Sequence, residues 1–331
     1  MQQPPHDQDT ATMRAIGITA FGGPEVLQPV TVPRPQPLPG DILVRVHAAG
    51  VNPVDWKTRA GAPTPAAAAL GPAPHILGWD VSGVVEQVGP GVHLFAPGDE
   101  VYGLPWFPRP AGAYAEYVIA PARQFAPKPS SLDHVHAAAI PLAGLTALHA
   151  LTDAGNVQAG DRVLIHAAAG GVGHLAVQIA KHLGAHVIGT ARAHRHDLLR
   201  RLGADEVIDY STQRFEQVVT DVDVVVDLVG DAVDQTSTRS LAVLRPGGTF
   251  IQVAPRVSPE LPRLAADREI RVTPAILVDA DGPGLRRLGA LADSGNLSVL
   301  VEKVFPLEDA AEAHRLGETD HVAGKLVLQV A

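Results

Sequence analysis

The sequence of 331 residues contains no cysteine. This absence excludes disulfide bonds, metal sites built on thiolates and a cysteine nucleophile. A chain without disulfides is compatible with a reducing compartment, so we expect a cytoplasmic protein. Its length is sufficient for two domains of ordinary size.

Lysine and arginine are outnumbered by acidic residues, and the net charge is -9. No basic block is longer than a few residues, which argues against nucleic acid or an anionic membrane as a partner. No apolar run reaches the length of a transmembrane helix, so no membrane partner is expected. Residues 1–12 lack the hydrophobic region of a signal peptide, and we expect them to form a disordered tail before a first strand at Met13.

Up to about residue 135, short apolar segments are separated by proline and glycine. The segments AIGITAF, DILVRVHAAGV, VSGVVEQVG and EVYGLPW have the length and the residue types of strands. Turn signals precede two of them, which predicts a compact β-barrel. Residues 61–74, GAPTPAAAALGPAP, are low in complexity and are expected to form a surface loop, with a lid over a cleft as one interpretation.

After residue 160, predicted strands and helices alternate. Strands are expected in RVLIHA, HVIGTA, EVIDY, VDVVVDLVG and FIQVA, and around residues 270–272. VDVVVDLVG is so apolar that both its faces must be covered, as in a parallel sheet. The pattern predicts an α/β Rossmann domain with a doubly wound parallel sheet over residues 138–273. Residues 13–137 and 274–331 then form the other domain, because the chain returns to the barrel.

The strongest chemical signal is the segment RVLIHAAAGGVGHLAVQIA, in which a predicted strand runs through a glycine turn into an amphipathic helix. Ala168, Gly170 and Gly173 occupy the three positions of the G-x-G-x-x-G fingerprint, with alanine in the first. Gly170 allows the backbone to approach a pyrophosphate, and Gly173 allows the helix to pack close to the strand. The helix N-terminus offers free N–H groups to the phosphates. We therefore predict a dinucleotide site here.

The end of the second Rossmann strand selects the dinucleotide. An NAD site has Asp or Glu about 20 residues beyond the glycines, where the carboxylate binds the ribose hydroxyls. In this sequence that position is Ala191, and Arg192 and Arg195 follow it. Two guanidinium groups in place of a carboxylate favour a 2′-phosphate, so NADPH is the predicted cofactor.

Several segments carry a family resemblance; they are FGGPEVL, AGVNPVDWKTRAG, GWDVSGVVEQVGPGV, AGAYAEY, AAAGGVG, LGADEVIDY, LRPGG and GKLVL. In them the chain resembles the zinc-independent quinone oxidoreductase and enone reductase family of the medium-chain dehydrogenase/reductase superfamily. The resemblance covers nearly all of the chain from Met13 to Ala331. It implies a GroES-like catalytic domain built from both chain ends, an inserted Rossmann domain, an active site in the cleft between them, and a homodimer.

The same resemblance implies the cofactor contacts. It assigns the pyrophosphate to four consecutive residues, Gly170, Gly171, Val172 and Gly173. It assigns the adenosine 2′-phosphate to Thr190, Arg192, Arg195 and Tyr210. Lys57 is similar to a cofactor-contacting lysine of the enone reductases, and Thr146 is similar to a threonine near the nicotinamide.

Zinc-dependent relatives place a cysteine, a histidine and a second cysteine around a catalytic metal. By resemblance, Asn52 stands at the first of these positions and Trp79 at the second, and the chain has no cysteine for the third. We therefore expect neither zinc nor any other metal. Trp79 is expected to line the cleft or to pack beneath it, and Asp80 to bond to nearby backbone or to pair with a cation.

A pre-activated acceptor suits a site without a metal. Quinones and α,β-unsaturated carbonyl compounds accept hydride at carbon, so the enzyme must orient them and stabilise a developing oxyanion. We expect Asn52 to donate a hydrogen bond to the substrate oxygen and Tyr102 to supply a proton, with Lys57 or water as other proton sources. The predicted substrate pocket consists of three aromatic residues, Trp56, Trp106 and Phe107. Loop packing explains the last two equally well.

Two other functions stay open. An enoyl-thioester reductase of the same fold would need a well-placed tyrosine acid and room for an acyl carrier. A non-catalytic protein that binds NADPH as a sensor or in a structural role would show no turnover. The prediction favoured by the residues is NADPH-dependent reduction of a small-molecule quinone or enone.

Overall fold

The structure, a computed structural model, describes residues 11–331. Residues 1–10 of the predicted tail lie outside this range. The first strand starts at Thr12, just before the expected start at Met13. Within the described residues, no helix is both long enough and apolar enough to cross a bilayer.

The first part of the chain is rich in strands, as its alternating segments predict. They are β1 (Thr12–Ile18), β2 (Gln28–Pro33), β3 (Asp41–Val51), β4 (His75–Ile76), β5 (Asp80–Val88), β6 (Glu100–Gly103), β7 (Tyr117–Pro121) and β8 (Phe125–Pro127). The strands β2, β1 and β4 form a small three-stranded sheet. The long strand β3 pairs with both β5 and β7, all antiparallel, and forms the centre of the barrel.

The middle of the chain contains β9 (Arg162–Ile165), β10 (His186–Ala191), β11 (Glu206–Asp209), β12 (Val222–Asp227), β13 (Leu244–Gln252) and β14 (Arg271–Val272). These six strands form one sheet in the order β11-β10-β9-β12-β13-β14, and every pair is parallel. This is the strand order of the Rossmann fold. The prediction of a doubly wound parallel sheet is therefore confirmed.

The chain ends in two further strands, β15 (Val301–Pro306) and β16 (Lys325–Gln329). β16 pairs antiparallel with β3, and β15 lies parallel on its other side. The last strand thus lies beside the central strand of the barrel. This pairing places β16 in the same sheet as the barrel strands β3 and β5.

Ten helices connect and cover the sheets of the described chain: α1 (Pro53–Arg59), α2 (Pro65–Ala68), α3 (His134–Ala138), α4 (Pro141–His149), α5 (Gly173–His182), α6 (His196–Arg201), α7 (Thr236–Ser240), α8 (Leu261–Ala266), α9 (Gly282–Asp293) and α10 (Ala310–Gly317). The helix α5 buries Leu175, Ala176 and Ile179, as its 3.6-residue period predicts. Gly184 follows this helix with φ +86, a left-handed value that ends helices.

The segment of residues 61–74 differs from the predicted loop, because it contains the short helix α2. Thr64 precedes the helix and its hydroxyl accepts a hydrogen bond from the Ala67 N–H at 3.0 Å. Pro65 occupies the first helical position, where its missing N–H costs nothing. A cap and a proline thus order a segment whose low complexity suggested a loop.

The largest apolar core joins the barrel to the Rossmann sheet. Trp79, Tyr102 and Phe107 from the barrel are buried in the same cluster as Leu145 of α4 and Leu175 of α5. Because this packing is continuous, the two parts hold the residues at their junction in a defined arrangement.

We expect Gly173→Ala to lower the free energy of unfolding by about 1–3 kcal/mol, the usual effect of overpacking. An added Cβ would lie 2.7 Å from the Ala168 Cα and closer still to the Ala167 carbonyl. Urea denaturation measures the change. The control is Gly71→Ala, where no heavy atom lies within 4 Å of the new methyl. Equal stability of Gly173→Ala and the wild type would contradict the close approach of α5 to the turn.

We also expect the protein to lose stability as the pH falls from about 6.5 towards 4. Burial lowers the pKa of His166 and His174 to about 4 and that of His314 to about 3. The unfolded chain therefore binds three protons before the folded chain does. Burial raises the pKa of Asp55 to about 7, which acts in the opposite sense but through only one proton.

Urea midpoints measured between pH 7 and pH 4.5 test this expectation. The slope should approach about 1.4 kcal/mol per pH unit for each net proton taken up on unfolding. The exposed His182 provides the control, because His182→Gln should leave the slope unchanged. A stability that stays constant over this range would exclude neutral buried histidines.

Candidate active site

The glycine turn between β9 and α5 has the geometry of a phosphate-binding turn. Ala167 holds a left-handed φ of +48, which reverses the chain after the strand. The Ala168 N–H donates to the Thr190 carbonyl at 3.0 Å and ties the turn to β10. Only glycine fits at Gly173, where any side chain would meet the backbone of the turn.

The accessible part of this turn is formed by Gly170, Gly171 and Val172, which are all half-buried. They precede the first residue of α5, so they lie at the positive end of the helix dipole. The first N–H groups of a helix have no partner within the helix and can bind an anion. A side chain at Gly171 would contact Gly324 and Lys325, which face the turn. The turn therefore fits a dinucleotide pyrophosphate.

The end of β10 has no carboxylate. Ala191 is the last residue of this strand and lies opposite Asp209 on β11. Thr190 is buried, and its hydroxyl lies 3.2 Å from His166 Nδ1. The Thr190 hydroxyl therefore faces the His166 ring in the interior. This position does not support the predicted contact of Thr190 with a phosphate.

Three of the predicted phosphate-binding residues lie at this edge of the sheet. Arg192 is exposed directly after β10, and Tyr210 is 52% exposed directly after β11. Arg195 donates to the His321 carbonyl at 3.3 Å and lies 3.5 Å from Glu302. Arg192 and Tyr210 are therefore open to a ligand, whereas Arg195 is partly engaged by the protein.

Asn52 lies at the start of α1 in a buried group of polar side chains. Its Nδ2 donates to Asp80 Oδ2 at 2.9 Å, and its Oδ1 accepts from the Lys325 ammonium. The Lys325 ammonium also lies 3.2 Å from Asp80 Oδ2. All three residues are at most 3% exposed. The expectation that Asp80 pairs with a cation agrees with this contact.

Asp80 also holds the first turn of α4. Its Oδ1 accepts a hydrogen bond from the Leu142 N–H at 2.7 Å. A carboxylate at a helix N-terminus is stabilised by the free N–H groups and by the helix dipole. The same carboxylate therefore positions both Asn52 and the helix that carries Thr146.

A second group of polar side chains lies along α1. The Asp55 carboxylate accepts the Asn52 backbone N–H at 2.6 Å, and burial raises its pKa to about 7. Arg59 lies 3.2 Å from His314 Nδ1 and 2.5 Å from Glu318. Because a guanidinium only donates, the His314 Nδ1 accepts and its Nε2 carries the proton. These contacts fix α1 against α10.

Trp79 packs in the core at the junction of the barrel and the Rossmann sheet. It is 1% exposed, and its indole N–H donates to the Arg109 carbonyl at 2.7 Å. The Phe107 ring lies edge-on to it, with the ring centroids 5.7 Å apart. Of the two positions expected for Trp79, the structure favours packing.

The phenol of Tyr102 is not available as a proton donor. It is fully buried, and its hydroxyl donates to the Leu285 carbonyl of α9. Burial raises the pKa of its phenol well above the usual value. The position of Tyr102 therefore does not support the predicted catalytic role and indicates a structural one.

The three predicted pocket aromatics are not brought together. Trp56 packs against α10, where an added Cβ at Gly317 would lie 2.7 Å from its ring. Trp106 donates its indole N–H to the Ile119 carbonyl at 2.8 Å and packs in the barrel core. Phe107 belongs to the core at the junction. Loop packing, the alternative for Trp106 and Phe107, explains these contacts.

The two remaining predicted residues are Thr146 on α4 and Lys57 on α1. The Thr146 hydroxyl donates to the Leu142 carbonyl one turn earlier in α4, at 2.7 Å. Lys57 is half-buried on α1, and burial, together with the Arg256 guanidinium, lowers its pKa.

Sequence reasoning missed Lys325 and gave Asp55 no role. The signal for Lys325 was a charged residue inside the apolar strand GKLVLQV. Such a residue requires a partner when the strand is central, because an unpaired buried charge is costly. The signal for Asp55 was its place three residues after Asn52, at the N3 position of a capping box.

Two family models match the chain. Residues 38–130 match the alcohol dehydrogenase GroES-like domain, and residues 202–328 match the zinc-binding dehydrogenase model. The first match falls on the barrel, and the second covers β11 to β14 of the Rossmann sheet and the C-terminal strands.

Relatives match over nearly the whole chain. The chain is 37% identical to a 2-haloacrylate reductase of Burkholderia sp, over 93% of this chain and 96% of the relative. It is 32% identical to the chloroplastic NADPH-dependent alkenal/one oxidoreductase of Arabidopsis thaliana, over 96% of this chain and 79% of the relative. The solved quinone oxidoreductase of Coxiella burnetii superimposes with a TM-score of 0.90 at 40% identity, covering 97% of this chain and 100% of that one. The chain therefore belongs to the quinone oxidoreductase family of the medium-chain dehydrogenase/reductase superfamily, and it is an oxidoreductase of the quinone or alkenal reductase type that uses a nicotinamide cofactor.

Proposed function

We propose that the protein reduces a quinone or an α,β-unsaturated carbonyl compound with NADPH and without a metal. The observation that carries the proposal is the Asn52 amide, which Asp80 and Lys325 hold in a fixed orientation beside the glycine turn. Asp80 accepts one N–H of this amide, and within residues 11–331 the other has no acceptor. A preorganised N–H donor of this kind stabilises negative charge that develops on a substrate oxygen.

The donor set at this place does not fit zinc. The Trp79 indole N–H is already donated to a backbone carbonyl, and an indole has no lone pair for a metal. Asn52 and Asp80 are bound to each other and to Lys325. Across residues 11–331, no three His, Cys, Asp or Glu side chains form a group suitable for a metal ion. The proposal therefore contains no step at a metal.

NADPH, when bound, supplies the hydride. The turn of Gly170, Gly171 and Val172 would hold its pyrophosphate, and Arg192 with Tyr210 would hold its 2′-phosphate. Asn52 would donate its free N–H to the substrate oxygen while the substrate carbon is reduced. Water at the cleft is the proton source in this proposal, since the Tyr102 hydroxyl is engaged elsewhere.

The names of the relatives support this substrate class. A 2-haloacrylate reductase, an alkenal/one oxidoreductase and a quinone oxidoreductase share an acceptor whose carbon is activated by conjugation. We further propose a homodimer that pairs through the Rossmann sheets. The strand β14 lies at the edge of its sheet and has no outer neighbour within residues 11–331.

Initial rates of NADPH oxidation with three acceptors test the proposed function. We expect turnover with 1,4-benzoquinone or with 2-cyclohexen-1-one, and little with crotonyl-CoA, because the hydroxyl of Tyr102, the predicted acid, is buried and bound to the Leu285 carbonyl. Preferred turnover of crotonyl-CoA would favour an enoyl-thioester reductase instead. Binding of NADPH without any turnover would favour a non-catalytic protein. Stoichiometric zinc in the active enzyme would contradict the proposal.

We expect Arg192→Ala to raise the KM for NADPH about tenfold to a hundredfold. This factor corresponds to the free energy of one charge-assisted hydrogen bond to the 2′-phosphate. The KM for NADH should stay within about twofold, because NADH has no 2′-phosphate. The exposed Arg201 on α6 provides the control, since Arg201→Ala removes an equal charge nearby. An equal effect of Arg192→Ala on both cofactors would exclude 2′-phosphate recognition by this residue.

A further inference from the structure

Lys325 is a charged residue in the interior of the protein. It begins β16, is 3% exposed, and precedes the buried residues Leu326, Val327 and Leu328. An ammonium at such a place is tolerated only when its hydrogens are bound. The three hydrogens of Lys325 have three acceptors: the Val51 carbonyl, Asn52 Oδ1 and Asp80 Oδ2.

These contacts determine which way the Asn52 amide faces. An ammonium only donates, so the atom of Asn52 that faces Lys325 must be the oxygen. A carboxylate only accepts, so the atom that faces Asp80 must be the nitrogen, at 2.9 Å. The orientation therefore follows from the chemistry of the partners. Asp80 accepts one of the two Nδ2 hydrogens, and the other has no acceptor in the described part of the chain.

Lys325 also contacts the cofactor turn. The preceding residue, Gly324, donates its N–H to the Ala169 carbonyl at 2.9 Å. The Lys325 stem lies 3.4 Å from the place that a Cβ of Gly171 would occupy. A single residue of the C-terminal strand thus links the predicted pyrophosphate site to the Asn52 amide.

We propose that Lys325 is a positioning residue that fixes and polarises the Asn52 amide, so that its free N–H becomes a stronger donor to the oxyanion formed from the substrate. The inference rests on the proposed function and deepens it. A hydrogen bond from an ammonium to Oδ1 draws electron density from the amide nitrogen and strengthens the N–H on it. Lys325 acts through Asn52 and does not touch the substrate.

This role has a consequence for the substrate class. Hydride addition to an enone forms an enolate, which is a strongly basic oxyanion. Hydride addition to a quinone forms a hydroquinone anion, in which aromatic conjugation disperses the charge. The polarised amide therefore assists enones more than quinones. Lys325 extends the range of the enzyme to acceptors that are harder to reduce.

Lys325→Met tests the inference, because methionine keeps an unbranched apolar stem against Gly171 and removes the ammonium. With 2-cyclohexen-1-one we expect kcat to fall about tenfold or more. With 1,4-benzoquinone we expect a loss of about threefold or less. The KM for NADPH should stay within about twofold. The control is Lys303→Met on the adjacent strand β15, an exposed lysine whose replacement should change neither rate.

A double-mutant cycle separates positioning from general disturbance of the fold. If Lys325 acts through Asn52, then Lys325→Met should change kcat by less than about twofold when Asn52 is already alanine. The inference is wrong if the losses of kcat caused by Lys325→Met and by Asn52→Ala multiply in the double variant. It is also wrong if Lys325→Met lowers kcat equally with the enone and with the quinone. Unchanged enone reduction by Lys325→Met also overturns it.

Removing the ammonium alone leaves the Asp80 carboxylate unpaired, so the combined variant Lys325→Met/Asp80→Asn removes both charges. We expect this variant to fold and to show the same selective loss with the enone. Enone reduction at the wild-type rate by this variant would contradict the inference. Failure of the wild type to reduce either acceptor would refute the proposed function, and the inference with it. Active wild-type enzyme with unaffected variants would refute the inference alone.

Discussion

The arrangement of the candidate active site depends on one buried ion pair, between the Lys325 ammonium and the Asp80 carboxylate. Both groups are removed from water, so their attraction is offset by the cost of desolvation. Buried pairs of this kind seldom add much stability over apolar residues of the same size. Their value is orientation, because every acceptor and donor around them must be in place. Here they orient the Asn52 amide and the first turn of α4.

The same pair explains why both ends of the chain are needed at one site. β16 carries Lys325 and pairs with β3, whose last residue directly precedes Asn52. Asp80 starts β5 on the opposite side of β3. The central strand of the barrel therefore brings the three residues together. Gly324 then joins this group to the glycine turn of the Rossmann sheet.

The aromatic residues contribute packing at the junction and little to the predicted pocket. Trp79, Tyr102 and Phe107 fill one continuous core between the barrel and α4, α5 and α9. Each indole or phenol group that is buried there donates to a backbone carbonyl. The site therefore relies on a small number of polar groups held by a rigid frame. This agrees with a reaction in which the acceptor is already activated and orientation is the main requirement.

The amino-acid pattern alone determined the alternation of strands and helices, the glycine turn and the absence of a carboxylate at Ala191. Each of these is local: a period of apolar residues, a backbone that tolerates only glycine, or one residue at a strand end. Only the tertiary structure decided that Tyr102 is buried, that Trp56 packs on α10, and that Lys325 meets Asn52 and Asp80. These contacts join residues that are far apart in the chain. They depend on strand pairing and burial, and a local sequence pattern does not encode either.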